Sequence, residues 1–432
     1  MVANKIDIIS MGCSKNLIDS ERLIRRLGAK GYTVEHNPEN PDGEYVVVNT
    51  CGFIADAKTE SIEMLLDLGR LKEEGQIGKV VAMGCLTQRY MADLKEEMPE
   101  VDIWYGKFDW NGFADSLPDR SPSPDKPREW DRTITTPPHS AFLKISEGCN
   151  RFCAFCAIPL ITGRHKSRPI EEILDETRRL VADGVKEFNV IAQDLSSYGI
   201  DIYGEHRLAQ LIDRMADIPG VEWIRLHYAY PADFPMDILD VMARRDNVCK
   251  YLDIALQHID DGVLSNMRRH ITRQQTLDLL AEIRRRVPGI RIRTTLMVGF
   301  PGETEEAFEQ LLDFVKDQKF DRMGAFAYSE EDDTWAAKNL EDAIPEDVKQ
   351  ERLNRLMDIQ ETISLRNNEQ LIGKTLRLLV DDIEGDTLIC RSEYDSPEVD
   401  PYFRVEGSAR PGEFITATVT EAFPFDFLAK QI

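Results

Sequence analysis

The sequence predicts an α/β protein in three parts: an N-terminal parallel-sheet domain, a central partial (βα)6 barrel and a small C-terminal β-barrel. Three observations carry this reading. Apolar, β-branched runs alternate with helical patterns in two successive stretches. A segment with six prolines, residues 117–138, separates the two. The final stretch consists of short strand-like runs and turn residues. The expected boundaries are 1–117 for the first domain, 118–138 for a linker, 139–366 for the barrel and 367–432 for the tail.

In the first domain KIDIIS, EYVVVNT and KVVAMG read as strands. Leu23, Ile24 and Leu27, and later Ile62, Leu65 and Leu66, mark helices between them, which implies crossover connections and a parallel sheet. After the prolines, AFLKIS, EFNVIAQ, WIRLHYA, YLDIALQ, IRIRTTLMVG and MGAFAYS supply six more strands. Ile170, Ile173, Leu174, Thr177, Leu180 and Val181 form the helical stripe after the first of these. Chemistry is expected at the carboxyl ends of such strands. The stretch Val348–Leu365 carries a last stripe, Leu353, Leu356, Met357 and Ile363, and Asn367, Asn368 and Gly373 end it. The tail holds about five short strands with a turn at Glu384-Gly385, the pattern of a small β-barrel.

Charge excludes one large class of function. Against 53 Lys and Arg stand 77 Asp and Glu, a net charge of −24, and nucleic acid binders draw their affinity from cations. Nucleic acid is therefore not the expected principal partner. No apolar run approaches the roughly 18 residues of a membrane span, and MVANKIDIIS lacks the regions of a secretory signal. No membrane partner and a cytoplasmic location are the expectations.

Eight cysteines in a reducing compartment are poor material for disulfides. Cys149, Cys153 and Cys156 form a compact trio on a loop after the first barrel strand. Three thiolates so close together, without a fourth nearby, suit an iron-sulfur cluster that leaves one iron open. A zinc site completed by a distant histidine, or unliganded core cysteines, are the alternatives. Cys13, Cys51 and Cys85 each come immediately after a strand of the first domain. Loops at the carboxyl edge of one sheet lie side by side, so these three suit a second cluster despite their separation. Any one of them alone would read as a small buried hydrophobe, and Cys249 and Cys390 are read that way.

The compact trio and its place after strand one resemble the radical S-adenosylmethionine superfamily. With MGCSKNLIDSE, NTCGFI, MGCLTQRY, SEGCNRFCAFCAIPL, RLHYAYP, LQHIDDGVLSNMRR and TTLMVGFPGETEEAFEQL, the whole chain resembles the methylthiotransferases. That resemblance implies an N-terminal cluster domain, a radical S-adenosylmethionine barrel and a TRAM-like tail. It also implies two 4Fe-4S clusters, S-adenosyl-L-methionine bound at the open iron of the barrel cluster, and reductive cleavage to a 5'-deoxyadenosyl radical. Sulfur on the N-terminal cluster and a methyl group from a second S-adenosylmethionine then make the methylthio group. An external reductant and a sulfur donor are needed, and the sequence identifies neither.

Gln193 and Asp194 end the second barrel strand, where polar groups suit the methionine ammonium or the ribose. Gln257 and His258 end the fourth, and Gly299 opens a turn where backbone can approach a ligand. Capping pairs, a core histidine and a helix cap are the structural alternatives. The motifs are most similar to the methylthiotransferases acting on an aspartyl β-carbon of ribosomal protein S-twelve, on its own or within the small ribosomal subunit. A second branch acts on an adenosine of transfer RNA. From Glu369 onward six cations face thirteen acids, which favours a basic protein over RNA phosphates. Asp381, Asp382, Glu384 and Asp386, the densest acidic group there, are the expected substrate contact. A non-catalytic iron-sulfur electron carrier is the reading from another class.

Overall fold

The computed structural model describes residues 1–121 and 126–432, and the centre of the expected linker lies outside the described residues. The chain forms two compact units, Met1–Thr135 with Ala157–Arg164, and Thr136–Cys156 with His165–Ile432.

The first unit is built on five parallel strands, β1 (Val2–Ser10), β2 (Thr33–His36), β3 (Gly43–Thr50), β4 (Lys79–Gly84) and β5 (Ile103–Trp104), in the order β2-β1-β3-β4-β5. The three expected strands are its centre. Their side chains alternate between two apolar layers. Ile6, Ile8, Val47 and Val81 face Leu23, Leu27 and Phe113 on one side, and Val46, Val48, Val80 and Ala82 face Leu65, Leu68 and Leu86 on the other. The edge strands β2 and β5, four and two residues long, are too short for a pattern to announce them. The described proline-rich residues do not hang free. Arg132 pairs with Glu21 at 2.5 Å, both about 1% exposed, Thr133 N donates to Glu21 O, and Trp130 stacks on Arg22. A compositional linker is here a strap on the first helix, Ser14–Ala29.

The second unit holds six parallel strands, β6 (Ser140–Lys144), β9 (Glu187–Ile191), β10 (Trp223–Ala229), β11 (Val248–Gln257), β12 (Arg291–Val298) and β13 (Arg322–Ala327), side by side in that order. A two-stranded antiparallel pair, β7 (Ser146–Glu147) with β8 (Lys166–Ser167), brackets the cysteine loop. The tail strands β14 (Thr375–Glu384), β15 (Thr387–Ser392), β16 (Tyr402–Glu406), β17 (Phe414–Ala422) and β18 (Asp426–Gln431) close into a barrel over Leu378, Val380, Cys390, Phe403 and Phe427.

The tail packs on the central strands through their first residues. Glu187, which opens β9, accepts both arms of Arg391, at 2.8 and 2.6 Å, and Arg225 Nη2 at 3.1 Å. Tyr251 of β11 donates to Asp400, Arg293 of β12 lies 3.5 Å from Asp400, and Arg322 of β13 donates to Asp395. Trp223 of β10 packs edge-on against Phe414. The tail is thus a plug on the amino-terminal mouth of the partial barrel, within the same compact unit.

The helix Glu346–Glu369 runs further at both ends than its apolar stripe indicated. Its buried face also carries Lys349, Arg352, Gln360 and Asn368, which donate to Tyr328 O, Glu303, Phe320 O and Phe423 O. Polar residues at helical spacing are buried here because each has a partner.

Candidate functional site

In the first unit Cys13 follows β1, Cys51 follows β3 and Cys85 follows β4. Register fixes their proximity, since Ser10 is level with Asn49 and Thr50 with Gly84. A Cβ on Gly12, whose φ is +82°, would lie 2.7 Å from Cys51 Sγ, so the first loop touches the second thiol only because it is glycine. A Cβ on Gly52 would lie 2.6 Å from the Leu86 Cα, which joins the second loop to the third. Asn16, 1% exposed, ties all three together. Its amide donates to Met11 O and Thr50 O, and its oxygen accepts from Cys85 Sγ at 3.4 Å and from Lys107 Nζ at 3.2 Å. Ala157 and Ile161 pack on Cys85.

The electrostatics of this loop cluster favour thiolate at one cysteine of the three, Cys13. Burial pushes the Cys85 thiol up to about 12, and raises Cys51 as well. At Cys13 burial acts in the same direction, but Lys15, the Asn16 amide and Lys107 outweigh it and lower the pKa. Lys107 is itself 2% exposed and paired with Asp19 at 2.8 Å. A buried ammonium acting on Cys13 and Cys85 offsets part of the negative charge that thiolate ligands bring.

In the second unit the chain leaves the first barrel strands through Gly148, at φ +79°, and Phe152, at φ +48°. These turns set Cys149, Cys153 and Cys156 on one loop. The Arg151 amide donates to Cys149 Sγ at 3.5 Å, and burial pushes that thiol up to about 12. Arg269 Nη1 donates to Cys153 Sγ at 3.1 Å. The Tyr230 ring lies beneath both Arg269 and Arg151, at 4.1 and 4.3 Å, and its hydroxyl donates to Arg269 O. Arg151 is held in turn by Asp194 at 2.7 Å.

The residues expected to hold the coenzyme separate into two groups. Gln193 and Gln257 each bury a side-chain oxygen without a hydrogen-bond partner, although the Gln193 amide donates to Glu147. Two orphaned acceptors at the carboxyl ends of β9 and β11 suit a ligand rich in N–H and O–H groups. Asp194, His258 and Gly299 are otherwise engaged. Asp194 accepts from Arg151, Ser196 N and Ser197 Oγ. His258 is fully buried, accepts from Asp260 N and lies 3.2 Å from Glu303. Gly299 donates to Glu303, and a Cβ there would stand 2.4 Å from Lys349 Cγ. These three position other groups, and the turn and helix-cap reading of residues 299–304 fits, with Thr304 capping the helix Glu305–Gln318.

The acidic group of the tail is not one surface. Asp381 is half-buried, bonded to Arg391 at 2.6 Å and to His139 at 3.0 Å, and belongs to the plug. Asp382, Glu384 and Asp386 are exposed, with Glu384 paired to Arg404. The tail contacts the amino-terminal ends of the barrel strands, whereas the cysteine loop follows a carboxyl end, so this group is removed from the site it was expected to serve. Sequence reasoning missed Asn16, Lys107, Arg269 and Tyr230. Tyr230 and Arg269 lie inside quoted motifs, but nothing local shows that they meet the cysteine loop.

Among the described residues, no three Cys, His, Asp or Glu side chains converge on a single point. In a four-iron cubane each thiolate binds a different iron, so the fit is judged on the donor sets: three thiols on adjoining loops, two of them under the charge of Lys107, and three on one loop, with Arg269 bonded to Cys153. Both fit.

Three family models match successive parts of the chain. The radical SAM superfamily model matches residues 143–315, an uncharacterized protein family, UPF0004, matches 5–106, and the TRAM domain model matches 372–432. Among solved structures, the radical S-adenosylmethionine methyltransferase TsrM from Kitasatospora setae, with cobalamin and a 4Fe-4S cluster bound, shares the fold. It has a TM-score of 0.54 at 17% identity over 76% of this chain and 75% of that one. Fold and site define a radical S-adenosylmethionine methylthiotransferase, with S-adenosylmethionine and two 4Fe-4S clusters as cofactors. A protein of Parabacteroides distasonis named ribosomal protein uS12 methylthiotransferase RimO is 55% identical over 100% of both chains. One of the same name from Chlorobium phaeobacteroides is 46% identical over 98% of this chain and 96% of its own. The chain belongs to the RimO family of methylthiotransferases.

One consequence concerns Arg269. A hydrogen bond to a cluster sulfur withdraws electron density and raises the reduction potential. Arg269→Gln is expected to shift the barrel cluster's midpoint to more negative values in an anaerobic spectroscopic titration while leaving the iron content intact.

Proposed function

We propose that this protein inserts a methylthio group at the β-carbon of an aspartate of ribosomal protein uS12. The observation that carries the reading is end-to-end similarity to proteins named for that activity, together with both cysteine trios on loops that follow parallel strands. The target C–H bond is unactivated, so neither a base nor a nucleophile opens it. When bound, the two clusters and S-adenosylmethionine supply the hydrogen-abstracting radical, the sulfur and the methyl group.

The chain's own residues hold and shield these groups. Cys149, Cys153 and Cys156 ligate the barrel cluster, and Cys13, Cys51 and Cys85 the N-terminal one. Gln193 and Gln257 accept hydrogen bonds from the coenzyme's ammonium or ribose hydroxyls. Phe155, Phe300 and Tyr328, packed edge to face, keep water from the back of the cysteine loop. Reductant and sulfur donor come from outside, and a ribosomal substrate places the work in the cytoplasm.

Transfer RNA is the less favoured substrate because the tail's six cations against thirteen acids repel phosphate. Mass spectrometry of uS12 and of transfer RNA from cells lacking this chain tests the reading. Loss of the methylthio group from uS12, with transfer RNA unaltered, is expected. Loss from transfer RNA alone overturns it.

A further inference from the structure

Strand β13 is an edge of the six-stranded sheet, and among the described residues it pairs with β12 alone. The amide of Tyr328, just beyond it, donates to Val298 O at 2.9 Å. Backbone groups of successive strand residues point to opposite sides. The amides of Gly324 and Phe326 therefore face β12, and those of Met323, Ala325 and Ala327 face outward. No described residue hydrogen-bonds to these three outward groups.

The helix Glu346–Glu369 runs alongside, donating to Tyr328 O beyond one end of the strand and to Phe320 O before the other, and leaves the strand's residues half-buried or exposed. Gly324 has open space where a Cβ would stand, Ala325 and Ala327 are small and half-buried, and Phe326 is 57% exposed. Proteins normally guard such an edge with charge, proline or a bulge. Here Arg322 is the strand's one charged residue, and it is turned to Asp395 and Asn368.

The edge also leads to the reacting centre. Tyr328 packs on Phe300 and Phe300 on Phe155, between Cys153 and Cys156, at centroid distances of 4.9 and 6.2 Å. Ala336 N donates to Ala154 O at 2.8 Å. Between Tyr328 and Ala336 run the exposed Glu330, Asp332 and Asp333, the last paired with Lys338 at 2.8 Å, and the buried Glu331, followed by Trp335, 40% exposed beneath Arg268. An unpaired rail, an acidic run and an exposed aromatic thus follow one another toward the cysteine loop.

We propose that an extended segment of uS12 docks on β13 as an added strand. Main-chain hydrogen bonds to Met323, Ala325 and Ala327 supply affinity, and the net negative charge of residues 330–333 attracts the segment's basic side chains. A protein that lives among ribosomal RNA phosphates carries such cations. The inference rests on the uS12 reading above and names where that substrate is held. It also relieves the distant tail acids of that role.

The test is backbone hydrogen exchange of the anaerobically reconstituted enzyme with and without purified uS12. Exchange over residues 322–328 is expected to slow when uS12 binds. In parallel, Ala325→Pro removes one outward amide without touching the β12 ladder, and is expected to bind uS12 roughly tenfold more weakly, about 1.4 kcal/mol. Ala325→Ser, which keeps the amide, is expected to bind as the wild type does. Should the proline variant misfold, the wild-type exchange measurement still decides. Bound uS12 without protection of this strand overturns the docking proposal alone. Failure of the wild type to bind uS12 overturns the substrate reading and this proposal with it.

Discussion

Cys153→Ala is expected to abolish both cleavage of S-adenosylmethionine to 5'-deoxyadenosine and formation of methylthiolated product, whereas Cys51→Ala is expected to keep cleavage and lose product. The two trios sit on loops of different sheets, one in each compact unit, so damage to one leaves the other's donors in place. Cys153 is the thiol that receives the Arg269 hydrogen bond. Cys51 touches Gly12, and its backbone N–H donates to Ser61 Oγ while its carbonyl accepts from the same hydroxyl. Its replacement by the smaller alanine removes a thiol without straining either loop. Chromatography of the nucleoside product alongside mass spectrometry of uS12 separates the two effects. Normal product from Cys51→Ala would remove the second-cluster reading.

Glu187→Ala is expected to destabilise the second unit by about 3–5 kcal/mol, because it leaves Arg225 buried without its carboxylate and Arg391 with Asp381 alone. All three side chains are about 1% exposed or less. Burial alone would raise the Glu187 pKa, but the two guanidiniums and Ser140 outweigh it and hold the carboxyl well below its usual range. A carboxylate with a depressed folded pKa contributes its stability above the unfolded value of about 4.3 and loses it as pH falls toward the folded one. Denaturant unfolding of the wild type should therefore weaken below about pH 4.3. The same acid limb should be shallower in Glu187→Gln, which is less stable at neutral pH and has no carboxylate to protonate.

How far the sequence discloses this molecule depends on the range of the interaction. The strands that carry the cysteines were legible because each is a β-branched run ended by a Gly-Cys or Thr-Cys step, and two sets of such runs define two parallel sheets. The six thiols could be grouped for the same reason. The plug was not legible. Glu187 and Arg391 are 204 residues apart, and neither shows in its own segment that it is buried. Asp381 read as part of an acidic surface, since a charge pattern does not reveal that an arginine and a histidine fold onto it. His258 and Gly299 lie in motifs that look ligand-facing, yet both converge on Glu303, whose bond to Arg352 of the long helix is again a long-range pairing. Gln193 and Gln257 were placed correctly at strand ends, but only the structure shows that their oxygens lack partners.

The most direct test of the account is a complete reaction in vitro: reconstituted enzyme, reductant, a sulfide source and S-adenosylmethionine labelled in its methyl group, with uS12 and transfer RNA supplied in separate vessels. The account predicts labelled methylthio on one aspartate of uS12, accompanied by 5'-deoxyadenosine, and no labelled methylthio on transfer RNA. Label in transfer RNA with unmodified uS12 would contradict it.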